Sequence, residues 1–303
     1  MQASQISQVR RFNRAVTERM GVLQDRYLGR DRPYGEARLL WEVGEEGRDV
    51  RSLRERLGLD SGYTSRLLRA LEDDGLVTVE PRAEDRRTRT VRLTEAGRAE
   101  WAALEESSDA LAAELLTPLS PEQRTRLAGA MADVERLLTA SLVTLEPVAP
   151  DHPDAEWCLR RYFAELQGLF DTGFDPARSL LPDAGELKPP NGVFLLARLH
   201  GEPVGCAGLK LPAHAPAEIK RMWVAPDARR LGLARRFLRE LEARAVDHGR
   251  LLLRLDTNRV LDAAVALYRA TGFEEVAAFN DEPYAHHWFE KRIGPSARPA
   301  AEA

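Results

Sequence analysis

One stretch, Glu218 to Glu242 (EIKRMWVAPDARRLGLARRFLRELE), limits the folds open to this chain more than any other. It starts as a strand: Ile219, Met222 and Val224 are apolar, and Pro216 and Pro226 bound the run. It ends as a helix, with Ala234, Phe237, Leu238, Leu241 and Ala245 at three- and four-residue spacing. Between them lies the loop R-R-L-G-L-A, from Arg229 to Ala234. A loop that feeds a helix N-terminus leaves backbone N–H groups without partners, and the helix dipole adds positive charge there. Such a site suits a phosphate, and Gly232 and Ala234 are small enough to let one approach the main chain.

The stretch contains neither the G-K-[S/T] of a Walker A loop nor the G-x-G-x-x-G of a dinucleotide-binding turn. It resembles motif A of the GNAT acetyltransferases, Q/R-x-x-G-x-G/A, with Arg229, Gly232 and Ala234 at the three motif positions. The resemblance implies that Arg229, Arg230, Leu231, Gly232, Leu233, Ala234 and Arg235 hold the pyrophosphate of acetyl-CoA. It also implies a strand that splays from its neighbour, so that the pantetheine arm pairs with the main chain of Met222, Trp223 and Val224.

A chain of 303 residues has room for two domains. No apolar run approaches the ~18 residues of a membrane span, and the N-terminus has no signal-peptide pattern, so a cytoplasmic protein without membrane contact is expected. Cys158 and Cys206 stand alone and read as reduced thiols. Residues 1–146 hold 23 Arg, no Lys and 26 Asp or Glu, a net charge of −3, so any nucleic-acid surface there must be a local patch.

The N-terminal half reads as helices over 5–28, from Pro33, over Val50–Leu57, and from Asp60 or Ser61 to Gly75. The last two, joined by Gly58-Leu59-Asp60-Ser61, form a helix-turn-helix pattern. Leu76–Val79 and Thr90–Leu93 alternate as strands around the charged loop PRAEDRRTRT, which is a β-wing rich in arginine. Such a hairpin suits phosphates and a narrow minor groove. Two helices over 94–117 and 120–145 follow, the second opened by Ser120-Pro121.

Here the sequence resembles the MarR family of winged-helix regulators. The resemblance rests on SGYTSRLLRALEDDGLV, on the wing's Asp85-x-Arg87, and on Leu93-Thr94-x-x-Gly97. It implies that Arg87 enters the minor groove of an operator duplex, oriented by Asp85, with Arg86 an equivalent neighbour. It implies that Ser61, Tyr63, Thr64, Ser65 and Arg66 face the major groove, and that the terminal helices make a homodimer. The family usually carries Ala where this chain has Arg54.

Pro147, Pro150 and Pro153 mark a boundary. Residues 1–146 are expected to be a mainly α winged helix-turn-helix domain with long dimerisation helices. Residues 147–295 are expected to be an α/β (α+β) GNAT domain with a mixed central sheet, and 296–303 a disordered tail. Strands are expected at 143–148, 193–198, 204–210, 251–256 and 286–291, and helices at 154–170 and 261–270.

Acetyl transfer to an amine needs a held thioester, a proton acceptor for the ammonium (pKa near ~10) and a proton for the leaving thiolate. By resemblance, Glu218 at the start of the central strand is the candidate base, with His214 a second candidate. Asp256-Thr257-Asn258, then Ala264, Leu267-Tyr268 and Gly272-Phe273, resemble the family's motif B. That implies cofactor binding by Asn258 and thiolate protonation by Tyr268. His286-His287 would point to opposite faces of a strand and Tyr284 and Trp288 could shape an acceptor pocket, so no metal is expected. The expected function is a DNA-binding regulator that N-acetylates a small-molecule or peptide amine. The alternatives are a regulator whose GNAT fold only senses acetyl-CoA, and an acetyltransferase whose winged helix serves only dimerisation.

Overall fold

The computed structural model describes residues 2–20, 27–30, 32–81, 89–171, 173–180 and 184–294. The chain forms two compact units, Met1–Met131 and Ala132–Ala303. The division falls inside a helix rather than at the proline-marked segment. Residues 144–148 cannot belong with the first unit, because they pair into the sheet of the second.

The first unit runs α1 (Ala3–Arg19), α2 (Tyr34–Val43), β1 (Arg48–Asp49), α3 (Val50–Leu57), α4 (Ser61–Asp73), β2 (Val77–Pro81), β3 (Arg89–Leu93), α5 (Glu95–Leu116) and the start of α6 (Pro121–Leu142). The first helix stops well short of the expected residue 28, and Tyr27–Gly29 is a separate 3-10 turn. Each boundary of the helix-turn-helix has a local cause. The Asp49 carboxylate accepts the Arg51 and Ser52 N–H groups, capping α3. Gly58 ends it at φ 62, a left-handed conformation that favours glycine. Asp60 then caps α4 by accepting the Tyr63 N–H at 2.8 Å. The inward stripe of α4, Thr64, Leu67, Leu68 and Leu71, packs in a core with Leu40, Leu53, Val91 and Leu104.

The three-stranded antiparallel sheet has the order β1-β3-β2. The hairpin register runs from Val77↔Leu93 to Pro81↔Arg89. The wing tip, with Asp85, Arg86 and Arg87, lies outside the described residues. The Thr94-x-x-Gly97 motif acquires a physical reason. Thr94 accepts the Gly97 N–H at 2.9 Å and donates to the Gly75 carbonyl at 2.7 Å. A Cβ at Gly97 would sit 1.9 Å from the Leu76 carbonyl oxygen, so only glycine lets α5 start against the wing's base.

The second unit continues with β4 (Thr144–Val148), α7 (Pro153–Leu169), β5 (Gly192–Leu199), β6 (Glu202–Lys210), β7 (Ala217–Val224), α8 (Leu233–Asp247), β8 (Leu252–Thr257), α9 (Asp262–Ala270), β9 (Glu274–Val276) and β10 (His287–Arg292). The mixed seven-stranded sheet has the order β4-β5-β6-β7-β8-β10-β9. Gly205 and Cys206 are neighbours on β6 and so point to opposite faces. A Cβ at Gly205 would be 3.3 Å from Phe237 of α8, whereas Cys206 meets Cys158 of α7. The two helices therefore cover opposite faces.

Two irregularities shape the centre of this sheet. Between β6 and β7 the register passes from Cys206↔Trp223 to Gly208↔Lys220, so two residues of β7, Arg221 and Met222, oppose one of β6. Arg221 takes φ 55 in this bulge, at a cost on the order of 1–2 kcal/mol for a side-chain-bearing residue. The second irregularity is the parallel pair. β7 meets β8 only at Ala217↔Leu253 and Glu218↔Arg254.

Candidate active site

Beyond Glu218 and Arg254 the two parallel strands have no further paired rungs, and a cavity of ≈ 120 Å³ lies where they separate. One wall is Ile219, Lys220, Arg221 and Met222 of β7, consecutive residues that the bulge turns toward the same space. The other is Leu255, Asp256, Thr257 and Asn258 of β8, and Tyr268 of α9 reaches in beside them. Tyr162, Leu166, Phe170 and Phe174 close the α7 side. Phe174 lies 5.0 Å from Tyr284, ring centre to ring centre. That end is tied down by polar bonds: Tyr284 Oη accepts the Asp175 N–H at 2.9 Å, and the buried Glu282 carboxylate accepts from Ser179 Oγ at 2.9 Å and from the Leu180 N–H at 2.7 Å.

The charges at the splay form a chain. Arg254 Nη2 lies 2.6 Å from Glu218 Oε1. Lys220 Nζ lies 3.6 Å from Glu218 Oε2 and 2.5 Å from Asp256 Oδ2. Asn280 donates to the same Asp256 oxygen at 3.1 Å and accepts from Trp288 Nε1 at 2.8 Å. Asp256 Oδ1 takes no hydrogen bond among the described residues. Burial pushes the Tyr268 hydroxyl up from its ordinary pKa, and the nearby Asp256 charge pushes the same way. Tyr162 is raised for the same leading reason.

Of the residues expected to act in catalysis, Tyr268 lines the cavity and Glu218 does not. Glu218 sits on the last paired rung, 8% exposed, with both carboxylate oxygens facing cations. His214 belongs to a different groove, beside Arg250 and Arg292. Asn258 lines the cavity, but its side chain also organises the local turn. It donates to the Tyr284 carbonyl at 2.7 Å and accepts the Val260 N–H at 3.0 Å. Asp256 and Tyr162 had no assigned role in the sequence reading. Position alone could have drawn attention to Asp256, two residues before Asn258 on the same strand. Tyr162 stands among other aromatics of a helix face and gives no such signal.

Of the expected main-chain partners, Met222 lines the cavity, whereas the Trp223 side chain turns to α7 and donates to Glu165 Oε2 at 2.8 Å. The Val224 carbonyl accepts from Arg229 Nε at 3.1 Å. Arg229 Nη2 also pairs with Glu165 at 2.5 Å, so its guanidinium ties the loop to α7. The loop carries two left-handed residues, Arg230 at φ 67 and Gly232 at φ 77. The first backward bond of the next helix is Arg236 N–H to the Gly232 carbonyl, 3.1 Å. The N–H groups of Leu233, Ala234 and Arg235 precede it and have no carbonyl one turn earlier within the helix. Arg235 is exposed.

In the first unit, Ser61, Tyr63, Ser65 and Arg66 are exposed near the N-terminus of α4. Arg66 stacks over the Tyr63 ring, 5.5 Å from its centre. Thr64 corrects the expectation. It is 2% exposed and donates to the Asp60 carbonyl at 2.8 Å, because the spacing to Leu67, Leu68 and Leu71 places it on the inward face.

Among the described residues no cluster of three or more His, Cys, Asp and Glu could hold a metal ion, and His287 pairs with Glu275 at 2.6 Å. No described helix is long and apolar enough to cross a membrane.

Comparison with known proteins gives two family matches: the acetyltransferase (GNAT) family over residues 155–273 and the MarR family over residues 29–88. An IAA acetyltransferase of Azospirillum brasilense is 36% identical over 128 residues, 42% of this chain and 77% of that relative. The N-alpha-acetyltransferase RimI of Mycobacterium tuberculosis is 36% identical over 141 residues, 43% of this chain and 81% of its own length. A solved GNAT acetyltransferase of Staphylococcus aureus overlays 50% of this chain and 99% of its own, at 18% identity and a TM-score of 0.44.

Proposed function

This chain belongs to the GNAT acetyltransferase family and carries a MarR family domain ahead of that fold, and on that premise we propose a DNA-binding regulator whose second unit moves an acetyl group from acetyl-CoA to an amine. The observation that carries the enzymatic reading is the splay. Two parallel strands part after one ion-paired rung, and the space between them holds a carboxylate, Asp256, and a buried phenol, Tyr268.

In this reading the thioester lies in the splay, along the unpaired side of β7 beside Met222, and its diphosphate sits on the loop from Arg229 to Arg235. The loop supplies main-chain N–H groups there, since the Arg229 guanidinium is committed to Glu165. An ammonium acceptor enters from the aromatic end and loses a proton to Asp256, directly or through water. The neutral nitrogen then attacks the thioester carbon. A C–N bond forms, the C–S bond breaks, the leaving sulfur takes the Tyr268 hydroxyl proton, and the second proton shed by the acylated nitrogen returns to the Tyr268 phenolate, directly or through water. The phenol keeps its proton at neutral pH as an ordinary tyrosine of pKa ~10 does, and burial holds that proton more tightly still. The products are an amide and CoA.

Asp256 takes the base role here, and Glu218 positions it. Glu218 holds Arg254 and Lys220, and Lys220 in turn orients Asp256. In the first unit, Ser61, Tyr63, Ser65 and Arg66 are the residues of α4 that can meet base edges and phosphates, and Asp85, Arg86 and Arg87 of the wing would reach the adjacent groove. The exposed apolar side chains of α1 and α6, among them Val9, Phe12, Leu138 and Leu142, fit a homodimer.

The experiment is a product analysis. Purified protein, acetyl-CoA and an amine panel of amino acids, polyamines, aminoglycosides and a lysine peptide would be examined by mass spectrometry for an acceptor heavier by one acetyl group. Acetyl-CoA that binds without any acceptor gaining mass would favour the sensor reading instead.

A further inference from the structure

A groove separate from the catalytic cavity runs along α8. Its walls include Leu137, Ala140 and Ser141 of α6 on one side and Gly232, Arg235 and Arg239 on the other. Gly232 belongs to the loop assigned above to the cofactor's diphosphate, so groove and loop are continuous. Residues 137–141 lie outside the GNAT match at 155–273.

The charges in the groove differ in their commitments. Lys291 is neutralised by Glu242 at 2.7 Å. Arg236 is spent on the chain itself: its Nη1 donates to the buried Val143 carbonyl at 2.5 Å and so pins the end of α6 to α8. Arg235 and Arg239, one helical turn apart, have neither an ion pair nor a hydrogen bond among the described residues. Facing them, α6 offers small and apolar side chains and has no buried residue of its own. The groove thus suits a ligand that is anionic where it meets α8 and flat and uncharged where it meets α6. The nucleotide end of acetyl-CoA, a phosphorylated ribose carrying adenine, has that chemistry and leads away from the diphosphate loop.

We propose that the last turns of α6 form one wall of the nucleotide subsite, so that α6 is ordered by acetyl-CoA. The proposal rests on the cofactor reading above. Its consequence is regulatory. α6 is a single helix, Pro121–Leu142, and the division between the two units falls within it. Cofactor binding therefore acts on the helix within which that division falls. Any partner of the first unit that alters α6 is coupled to acetyl-CoA, with equal factors in both directions.

Calorimetric titration of acetyl-CoA into the full chain tests it. Ala140→Glu puts a carboxylate on the wall facing the phosphate-bearing end and weakens binding about tenfold through like-charge repulsion. Ala132→Glu, the same change on an exposed part of the same helix outside the groove, leaves affinity within about twofold. Hydrogen exchange on the unaltered protein is the second arm: amides of residues 134–142 slow when acetyl-CoA is added. Equal affinities for Ala140→Glu and wild type, or unchanged exchange in a protein that does bind acetyl-CoA, would overturn the α6 wall alone. A wild-type protein that binds no acetyl-CoA would overturn the cofactor reading with it.

Discussion

Arg254 and Glu218, joined at 2.6 Å, close the last paired rung between β7 and β8. The cavity-lining residues Asp256, Asn258 and Tyr268 lie beyond them. An ion pair on the strand-separating rung fixes where the sheet opens, and it does so with side chains only 19% and 11% exposed. Glu218 is thus better placed to hold the splay than to meet a substrate.

Asp256→Asn and Glu218→Gln should therefore fail differently. Asp256→Asn should lower kcat about 10²–10⁴-fold, the usual worth of a positioned proton acceptor, with unchanged acetyl-CoA affinity. An acceptor of low amine pKa, already neutral at the assay pH, should recover most of that loss. Glu218→Gln should cost about 3 kcal/mol of stability, because two cations lose a buried partner, and the low-pKa acceptor should not rescue it. Matching rescue in both variants would remove the distinction between them.

Tyr268→Phe should depress kcat with little change in KM for either substrate, since the hydroxyl is used only as the sulfur leaves. An unaltered kcat would leave the phenol a packing residue against Phe273 and Phe289.

The two raised tyrosines set an alkaline limit on stability. Tyr162 and Tyr268 hold their protons more tightly folded than unfolded. Below the ordinary tyrosine pKa of ~10 both states are protonated and nothing is lost. Above it the unfolded chain ionises first, so stability falls as pH rises. Thermal midpoints should drop more steeply above pH ~10 in wild type than in Tyr162→Phe or Tyr268→Phe. Parallel curves would contradict the burial account.

Much of this was legible in sequence because the signals were local. Gly58 marks a turn and Asp60 a cap, and the structure has one at each. The central strand and the loop after it follow from apolar spacing and two prolines. What stayed hidden depends on partners far along the chain. That the Arg229 guanidinium pairs with Glu165 shows only when α7 is in place, and Thr64 looks like a groove contact until its helix is docked. Asp256 reads as a strand-end carboxylate until the sheet is seen to split next to it. Helix α6 ends at Leu142, short of the expected residue 145, and the strand expected from 143 pairs with β5 over residues 144–148.

Gly97→Ala should destabilise the first unit by on the order of 1–3 kcal/mol, as overpacking against backbone does. Denaturant midpoints for that unit read it directly, and an unshifted midpoint would mean that α5 can move away from Leu76.

Wing and recognition helix can be separated by salt. With a labelled duplex, Arg87→Ala should weaken binding and reduce the slope of log affinity against log salt by about one. A variant with the wild-type slope would take the wing out of the interface.

The most direct test of the central claim is acceptor-dependent release of CoA from acetyl-CoA, followed with a thiol-reactive dye. Release should saturate with one class of amine and fall at least about 100-fold in Asp256→Asn. Release that is the same with and without every amine, or that Asp256→Asn leaves intact, would contradict it.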